Sequence, residues 1–233
     1  MEPMTEIFAL RFSERLATDR FERLLRYVSP EKQARIRRFL RWQDAHRGLY
    51  AELLIRDIVM KRLGMKNEDI TFSFNEYGKP SLDHATDFHF NVSHSGDWIA
   101  CAVDPFPIGI DVEKIAPIDL DIARNFFFHQ EYDDLMSRAE SEKLPYFFTL
   151  WTLKESYIKA EGMGLSIPLD SFSISALGKE NIGLKVKGQP QDRRFFKMYD
   201  IDKDYKLAVC TWRPHFPDGV VEKEVDELIE EYN

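Results

Sequence analysis

Residues Gly96–Ile115 read GDWIACAVDPFPIGIDVEKI, two apolar runs joined by a Pro-rich turn. Both runs, Trp98–Val103 and Ile108–Val112, have the length and composition of buried strands. Near the other end of the chain, Lys203–Cys210 reads KDYKLAVC, a second version of GDWIACAV. One hairpin element used twice points to a chain built in two similar halves. The second run of the opening stretch adds a chemical question. Asp111 and Glu113 lie two residues apart, so on a strand they share a face. Two acids side by side repel unless a cation, a partner base or open water separates them.

Working outward, EIFALRF near the start reads as a strand, and Ser29-Pro30-Glu31 is a helix start: a cap, proline at the first position, an acid in the first turn. A long helix is expected over Trp42–Leu63, stopped by Gly64, with Tyr50, Leu54 and Ile58 on its apolar stripe. Strands are expected at Ile70–Phe74 and Phe88–Val92 ahead of the opening pair. After it come helical segments around Ile122–Phe127, Gln130–Arg138 and Lys143–Ala160. Strands near Phe172–Ser175, Leu184–Lys187, Phe195–Tyr199 and Leu207–Trp212 complete the order. The expected fold is therefore α+β, with two pseudo-symmetric halves divided as residues 1–115 and 116–233. Each half is a small, mainly antiparallel sheet packed on a long helix, with the functional site at their interface.

The 233 residues are 44% hydrophobic and 31% charged, ordinary for a soluble globular protein. No apolar run reaches bilayer-spanning length, and the first residues do not read as a signal peptide, so no membrane role is expected. The two cysteines, Cys101 and Cys210, sit in apolar strand-like runs; buried thiols in a reducing cytoplasm are the expectation. The net charge of −8 hides an asymmetry: Arg11–Arg47 holds eleven Lys/Arg against five Asp/Glu. An acidic chain with one basic segment does not suggest a nucleic-acid binder. It suits a compact anion such as a phosphorylated small molecule, although most of these arginines also fit a solvated helix surface.

A third acid joins the opening pair. In LWTLKESYIKAEGMGLS, Leu150–Ser166, the residues Trp151, Glu155 and Lys159 form one helical stripe. If that stripe faces the strand, three carboxylates converge beside a lysine, and three hard oxygen donors without His or Cys suit Mg²⁺. The plain alternative is an exposed Glu→Lys pair on a helix and a solvated strand face. In FNVSHSGD, Phe90–Asp97, Ser93, His94 and Ser95 stand at a strand end where they could hold a phosphate. EYGKP, Glu76–Pro80, is a turn exposing Lys79, and SPEKQAR and QDAHR supply Lys32, Arg35 and Arg47.

Together GKP, NVSHS, IGIDVE and LWTLKESYIKAEGMGLS, in this order and spacing, resemble the 4′-phosphopantetheinyl transferases of the large, surfactin-synthetase type, over about Ser29 to Phe172. The resemblance implies transfer of the phosphopantetheine arm of coenzyme A to a serine of an apo peptidyl or acyl carrier protein, with release of 3′,5′-ADP. It implies that Asp111, Glu113 and Glu155 hold Mg²⁺ and that Glu155 and Lys159 are catalytic. Lys32, Arg35, Arg47 and His94, with Ser93 nearby, would meet the 3′-phosphate. Gly78, Lys79 and Pro80 would line the adenine side, and Lys154 and Lys159 would approach the diphosphate. The carrier would dock on APIDLDIARNFFF, Ala116–Phe128, through Ile118 and Leu120, the phenylalanines being core. Two halves in one chain make a monomer the expectation. The rival readings are a Mg²⁺-dependent nuclease or phosphotransferase and a non-catalytic protein that binds coenzyme A or a carrier.

Overall fold

Two 22-residue helices, Trp42–Leu63 and Glu140–Glu161, each stop at a glycine in the left-handed region, Gly64 (φ 66°) and Gly162 (φ 73°). Only glycine reverses the chain there without steric cost. In the computed structural model, which describes residues 4–176 and 181–232, these are α3 and α6. Before α3 come β1 (Glu6–Arg11), α1 (Thr18–Leu25) and α2 (Pro30–Ile36), the last capped by Ser29 Oγ accepting from Lys32 N at 3.2 Å. After it follow β2 (Phe72–Phe74), β3 (Pro80–Leu82), β4 (His89–Ser95), β5 (Trp98–Asp104) and β6 (Ile108–Lys114). Short helices α4 (Ala123–Phe126) and α5 (His129–Ser137) lead into α6. Then come β7 (Phe172–Ala176), β8 (Ile182–Val186), β9 (Gln189–Pro190), β10 (Phe195–Tyr199), β11 (Tyr205–Thr211), β12 (Val221–Lys223) and α7 (Val225–Glu230).

Two main sheets run β12-β1-β5-β4 and β10-β11-β6, antiparallel except for the β1–β12 pair. Strand alternation sorts their side chains into layers. Phe8, Leu10 and Phe90 pack with Leu53, Leu54 and Ile58 of α3. Ile7, Ala9 and Ala100 meet Ile110, Val112 and Leu207 between the sheets. Ala208 and Cys210 pack beneath Leu153, Tyr157 and Ile158 of α6. The mixed α+β architecture is the one expected, with a helix on each outer face.

The duplication extends to register. Trp98 stands opposite Arg11 as Tyr205 stands opposite Lys114, and Cys101 opposite Phe8 as Ala208 opposite Asp111. Phe12 N donates to Asp97 O at 3.0 Å, and Ile115 N to Asp204 O at 2.8 Å. Both strand-end cations, Arg11 over Trp98 and Lys114 over Tyr205, lie 5.7 Å from their ring centroids. One expectation changes. Strand β6, counted with residues 1–115, pairs along its length with β11, so by hydrogen bonding it belongs to the second sheet. On that ground we propose that the second half starts at Ile108.

Across its other edge, β6 meets side chains instead of a strand. Ile110 N donates to Asn91 Oδ1 (2.9 Å), Val112 N to Ser93 Oγ (3.3 Å) and Lys114 N to Ser95 Oγ (3.1 Å). Three alternate residues of β4 thus satisfy three amides, two of which, at Ile110 and Val112, burial would otherwise orphan. This ladder joins the two sheets and delivers the acids of β6 to the junction.

Candidate active site

Gly109, Asp111 and Glu113 share the face of β6 on which α6 lies. A Cβ at Gly109 would come within 2.1 Å of Ser156 O and 2.3 Å of Ala160 N, so only glycine lets the helix backbone approach this closely. That approach carries Lys159 to the strand: its ammonium donates to Asp111 Oδ1 at 2.5 Å and to Ser93 Oγ at 3.0 Å. Ser93 Oγ in turn donates to Asp111 Oδ1 at 2.9 Å, and Ser95 Oγ to Glu113 Oε2 at 2.8 Å.

The electrostatics are unbalanced. Asp111 is 2% exposed, and its Oδ2 is buried without a hydrogen-bond partner. Burial pushes its carboxyl above the usual range, against the opposing pull of Lys159. Burial first and the Asp111 charge second push Glu113 up to about 7. Glu155 is raised for the same two reasons, with Lys159 opposing. Each acid destabilises the next, as expected of an acid cluster short of positive charge. Among the described residues, no three His, Cys, Asp or Glu side chains stand close enough to close around a metal ion as they are.

Two clefts open beside the cluster and share Pro80. One, of about 250 Å³, is bounded by Tyr77, Gly78, Asn91, Glu155, Lys159 and Leu165. The other, of about 590 Å³, lies between α2–α3 and the β2–β3 hairpin, with Lys32, Arg35, Glu52 and Arg56 among apolar walls that include Phe72 and Phe90. Lys32 pairs with Glu52 at 3.4 Å. His94 is exposed at the end of β4. Partial desolvation lowers its pKa, and the nearby charges of Arg47, Lys159 and Lys32 lower it further. Four sequence-predicted anion-side residues, Lys32, Arg47, His94 and Lys159, are therefore electrostatic neighbours.

The family model described as the 4′-phosphopantetheinyl transferase superfamily matches residues 107–210, and the 4′-phosphopantetheinyl transferase N-terminal model matches residues 16–106. The chain is 42% identical over 226 residues to 4′-phosphopantetheinyl transferase Sfp of Bacillus subtilis, covering 96% of this chain and 100% of that one. The chain belongs to the 4′-phosphopantetheinyl transferase family. It is also 45% identical over 171 residues to the transferase gsp of Aneurinibacillus migulanus, over 73% of this chain and 71% of that one. The L-aminoadipate-semialdehyde dehydrogenase-phosphopantetheinyl transferase of Homo sapiens is 30% identical over 213 residues, covering 82% and 69% of the two chains.

Several residues of this transferase lie elsewhere than expected. Lys154 does not approach the cleft: it is 0% exposed, its ammonium donating to Leu169 O (2.9 Å) and Phe172 O (2.8 Å) and pairing with buried Glu131 at 2.7 Å. Its neighbour Glu155 faces the cleft, and one helical residue turns the direction by about 100°. Ser93, expected beside the 3′-phosphate, is 5% exposed and spends its hydroxyl on Asp111, Lys159 and Val112 N. Lys79 turns its ammonium into the protein, donating to Ile108 O, Lys159 O and Ala160 O, while Gly78, Pro80 and other atoms of Lys79 remain at the cleft wall. Arg47 donates to Gly96 O at 2.5 Å and pairs with Asp44, which braces the β4–β5 turn. Arg35 is exposed at the rim of the larger cleft. Of the apolar pair, Ile118 is 41% exposed but Leu120 packs against the Phe127–Phe147 cluster; Phe126, expected in the core, is 36% exposed.

Sequence reasoning missed Asn91, and it read Ser95 as a phosphate contact where the structure makes it an outer rung of the ladder. Their spacing with Ser93 at every second residue was the available signal. It also missed Glu131, the partner of Lys154, for which no local signal existed.

Proposed function

We propose that this transferase moves the 4′-phosphopantetheine arm of coenzyme A to a serine of an apo peptidyl or acyl carrier protein, at the junction of β4, β6 and α6. The observation that carries this reading is the buried, unpartnered Asp111 Oδ2 beside Lys159, in a cluster of three raised acids. Such an oxygen fits a hard divalent cation, and the donor set of Asp111, Glu113 and Glu155 suits Mg²⁺. Bound there, Mg²⁺ would neutralise charge on the coenzyme A diphosphate.

The chain's own residues supply the rest. Lys32, Arg35 and Arg47 offer positive charge to the 3′-phosphate, His94, whose pKa is lowered, offers a ring N–H, and the backbone of Gly78 and Pro80 borders the adenine. The carrier serine oxygen attacks the phosphorus that bears the pantetheine arm. The bond from that phosphorus to the oxygen of 3′,5′-ADP breaks, and 3′,5′-ADP leaves. Glu155, raised by burial, takes the serine proton directly or through a water. Lys159 steadies the charge that develops on the phosphoryl oxygens. Ile118 offers an exposed apolar contact for the carrier. The described residues contain no helix long and apolar enough to cross a membrane. A monomer working in the cytoplasm is part of the same proposal.

The test is intact-protein mass spectrometry of an apo peptidyl carrier protein incubated with this chain, coenzyme A and Mg²⁺, beside an EDTA control. A gain of one phosphopantetheine arm, abolished by EDTA, is expected. No gain with peptidyl, polyketide and fatty-acid carriers alike, despite coenzyme A binding, would overturn the reading in favour of a binding protein.

A further inference from the structure

Helix α6 carries two residues of the proposed mechanism, yet its last turn is held from outside the helix. A helix C-terminus leaves carbonyls without intrahelical partners and concentrates negative partial charge. In α6, Gly162 N serves Ile158 O at 2.9 Å. The next two carbonyls are served by the β2–β3 turn. Lys79 Nζ donates to Lys159 O at 2.6 Å and Ala160 O at 3.2 Å, and it reaches Ile108 O, at the start of β6, at 3.1 Å. Asn75 Nδ2 from the same turn donates to Gly162 O at 2.8 Å, while Asn75 Oδ1 accepts from Tyr77 N and Lys79 N.

A lysine ammonium has three hydrogens. All three meet carbonyls here, so none is left for a phosphate or a base. The aliphatic stem passes over Gly162, where an added Cβ would lie 2.9 Å from Lys79 Cδ. The glycine that ends α6 therefore also clears the path of the lysine that caps it. One cation thus ties three elements together: the hairpin turn, the end of α6 and the first residue of β6. Two of its three acceptors belong to Lys159 and to the residue after it, and the third lies three residues before Asp111.

We propose that Lys79 is a positioning residue for transfer, stapling the end of α6 to β6 so that Lys159 keeps its contact with Asp111, and that its ammonium does not bind the nucleotide. The inference rests on the transferase reading above. It departs from the adenine-side role that the sequence resemblance implied for this side chain. Burial lowers the Lys79 pKa to about 8, which leaves the ammonium charged at neutral pH.

The experiment compares the native chain with Lys79→Met and Asn75→Ala, measuring kcat, KM for coenzyme A and direct calorimetric binding of coenzyme A. Transfer by the native chain reports on the reaction itself, so its failure there is separate from any failure of the staple. For Lys79→Met, kcat is expected to fall by about ten- to a hundredfold, since a displacement near 1 Å costs that much. KM and Kd for coenzyme A should stay within about threefold. Asn75→Ala, which removes only the outer clip, should show the same split at smaller size and keeps the test open if Lys79→Met folds poorly. Rescue uses Lys79→Cys alkylated with 2-bromoethylamine, which restores an ammonium on a stem of near-lysine length. Cys101 and Cys210 are fully buried and should be spared. Recovery of kcat supports the staple. A rise of tenfold or more in KM and Kd at unchanged kcat, or alkylation without recovery, would overturn it.

Discussion

Replacing Gly109 by alanine tests the seating of α6 on β6 with a single methyl group. The added Cβ would stand 2.1 Å from Ser156 O, 2.3 Å from Ala160 N and 2.9 Å from Lys159 C, all backbone atoms of one helix. Ordinary contact begins near 3.4 Å, so α6 must withdraw by about 1.3 Å. No flexible side chain can absorb this. Carried to the site, the same displacement takes the 2.5 Å contact of Lys159 with Asp111 to about 3.8 Å, outside hydrogen-bonding range. Overpacking of this kind costs about 1–3 kcal/mol, and at this size each kcal/mol moves Tm by roughly 2–4 °C. Transfer should slow by about a hundredfold, the cost of misplacing a catalytic group by an ångström. Thermal unfolding and mass-spectrometric initial rates read both effects. Gly219→Ala, with nothing within 4 Å of its new Cβ, is the control and should change neither. A Gly109→Ala protein with native Tm and a rate within twofold of native would refute the argument that bare glycine is what brings Lys159 to Asp111.

Lys154→Met should destabilise the fold by about 3–5 kcal/mol in chemical denaturation, because it strands buried Glu131; native stability with a raised KM for coenzyme A would mean that Lys154 reaches the diphosphate after all. Added Mg²⁺ should raise the Tm of the native chain and not that of Asp111→Asn, read by thermal shift without substrate; equal shifts would remove Asp111 from the ligand set. Lys79 titrates near 8 when folded and at its ordinary 10.5 when unfolded, so between these values the unfolded chain holds more protons and stability rises with pH. The native chain should therefore gain stability relative to Lys79→Met from pH 8 to 10.5, and a flat difference would contradict the burial of this ammonium. Ile118→Arg should raise KM for the carrier by about tenfold while leaving that for coenzyme A unchanged; the reverse pattern would move the docking surface elsewhere.

Much of this site could be read from local spacing. Gly64 and the stripe of Tyr50, Leu54 and Ile58 define α3 to the residue, because helix stops and amphipathic periods are local signals. Alternation alone sets Asp111 and Glu113 on one face, and the i,i+4 spacing sets Glu155 and Lys159 on one stripe of α6, although Lys159 pairs with Asp111 instead. What failed was what depends on partners. Lys154 lies beside Glu155 in sequence, but its burial is decided by Glu131 and by carbonyls from the segment after α6. Asn91 by itself carried no signal and Ser93 and Ser95 read as phosphate contacts, whereas the bare edge of β6 is what engages all three. Strand β12 escaped notice because three residues in an acidic tail carry no strand pattern, and its pairing with β1 spans the chain.

The two halves also show what converts a core into a site. Counted back from the glycines that end α3 and α6, Arg56 corresponds to Lys154, Asp57 to Glu155 and Lys61 to Lys159. Arg56 donates to Asn67 O and Ile70 O much as Lys154 donates to Leu169 O and Phe172 O, so both cations tie a helix to the segment that follows it. Across the sheet, the strand positions occupied by Asp111 and Glu113 hold Phe8 and Leu10 in the first half. There the acid–lysine pair is closed: Asp57 and Glu231 are matched by Lys61 and Lys223. In the second half the two equivalent positions hold carboxylates; Lys159 contacts Asp111 and acts on Glu113 and Glu155 only through its charge. Three carboxylates against one ammonium leave the cluster short of positive charge, the imbalance on which the proposed Mg²⁺ site rests. The copy that kept its apolar residues is neutral and structural. The copy with carboxylates at those positions carries unbalanced negative charge, and it is there that we propose the metal and, through it, the diphosphate bind.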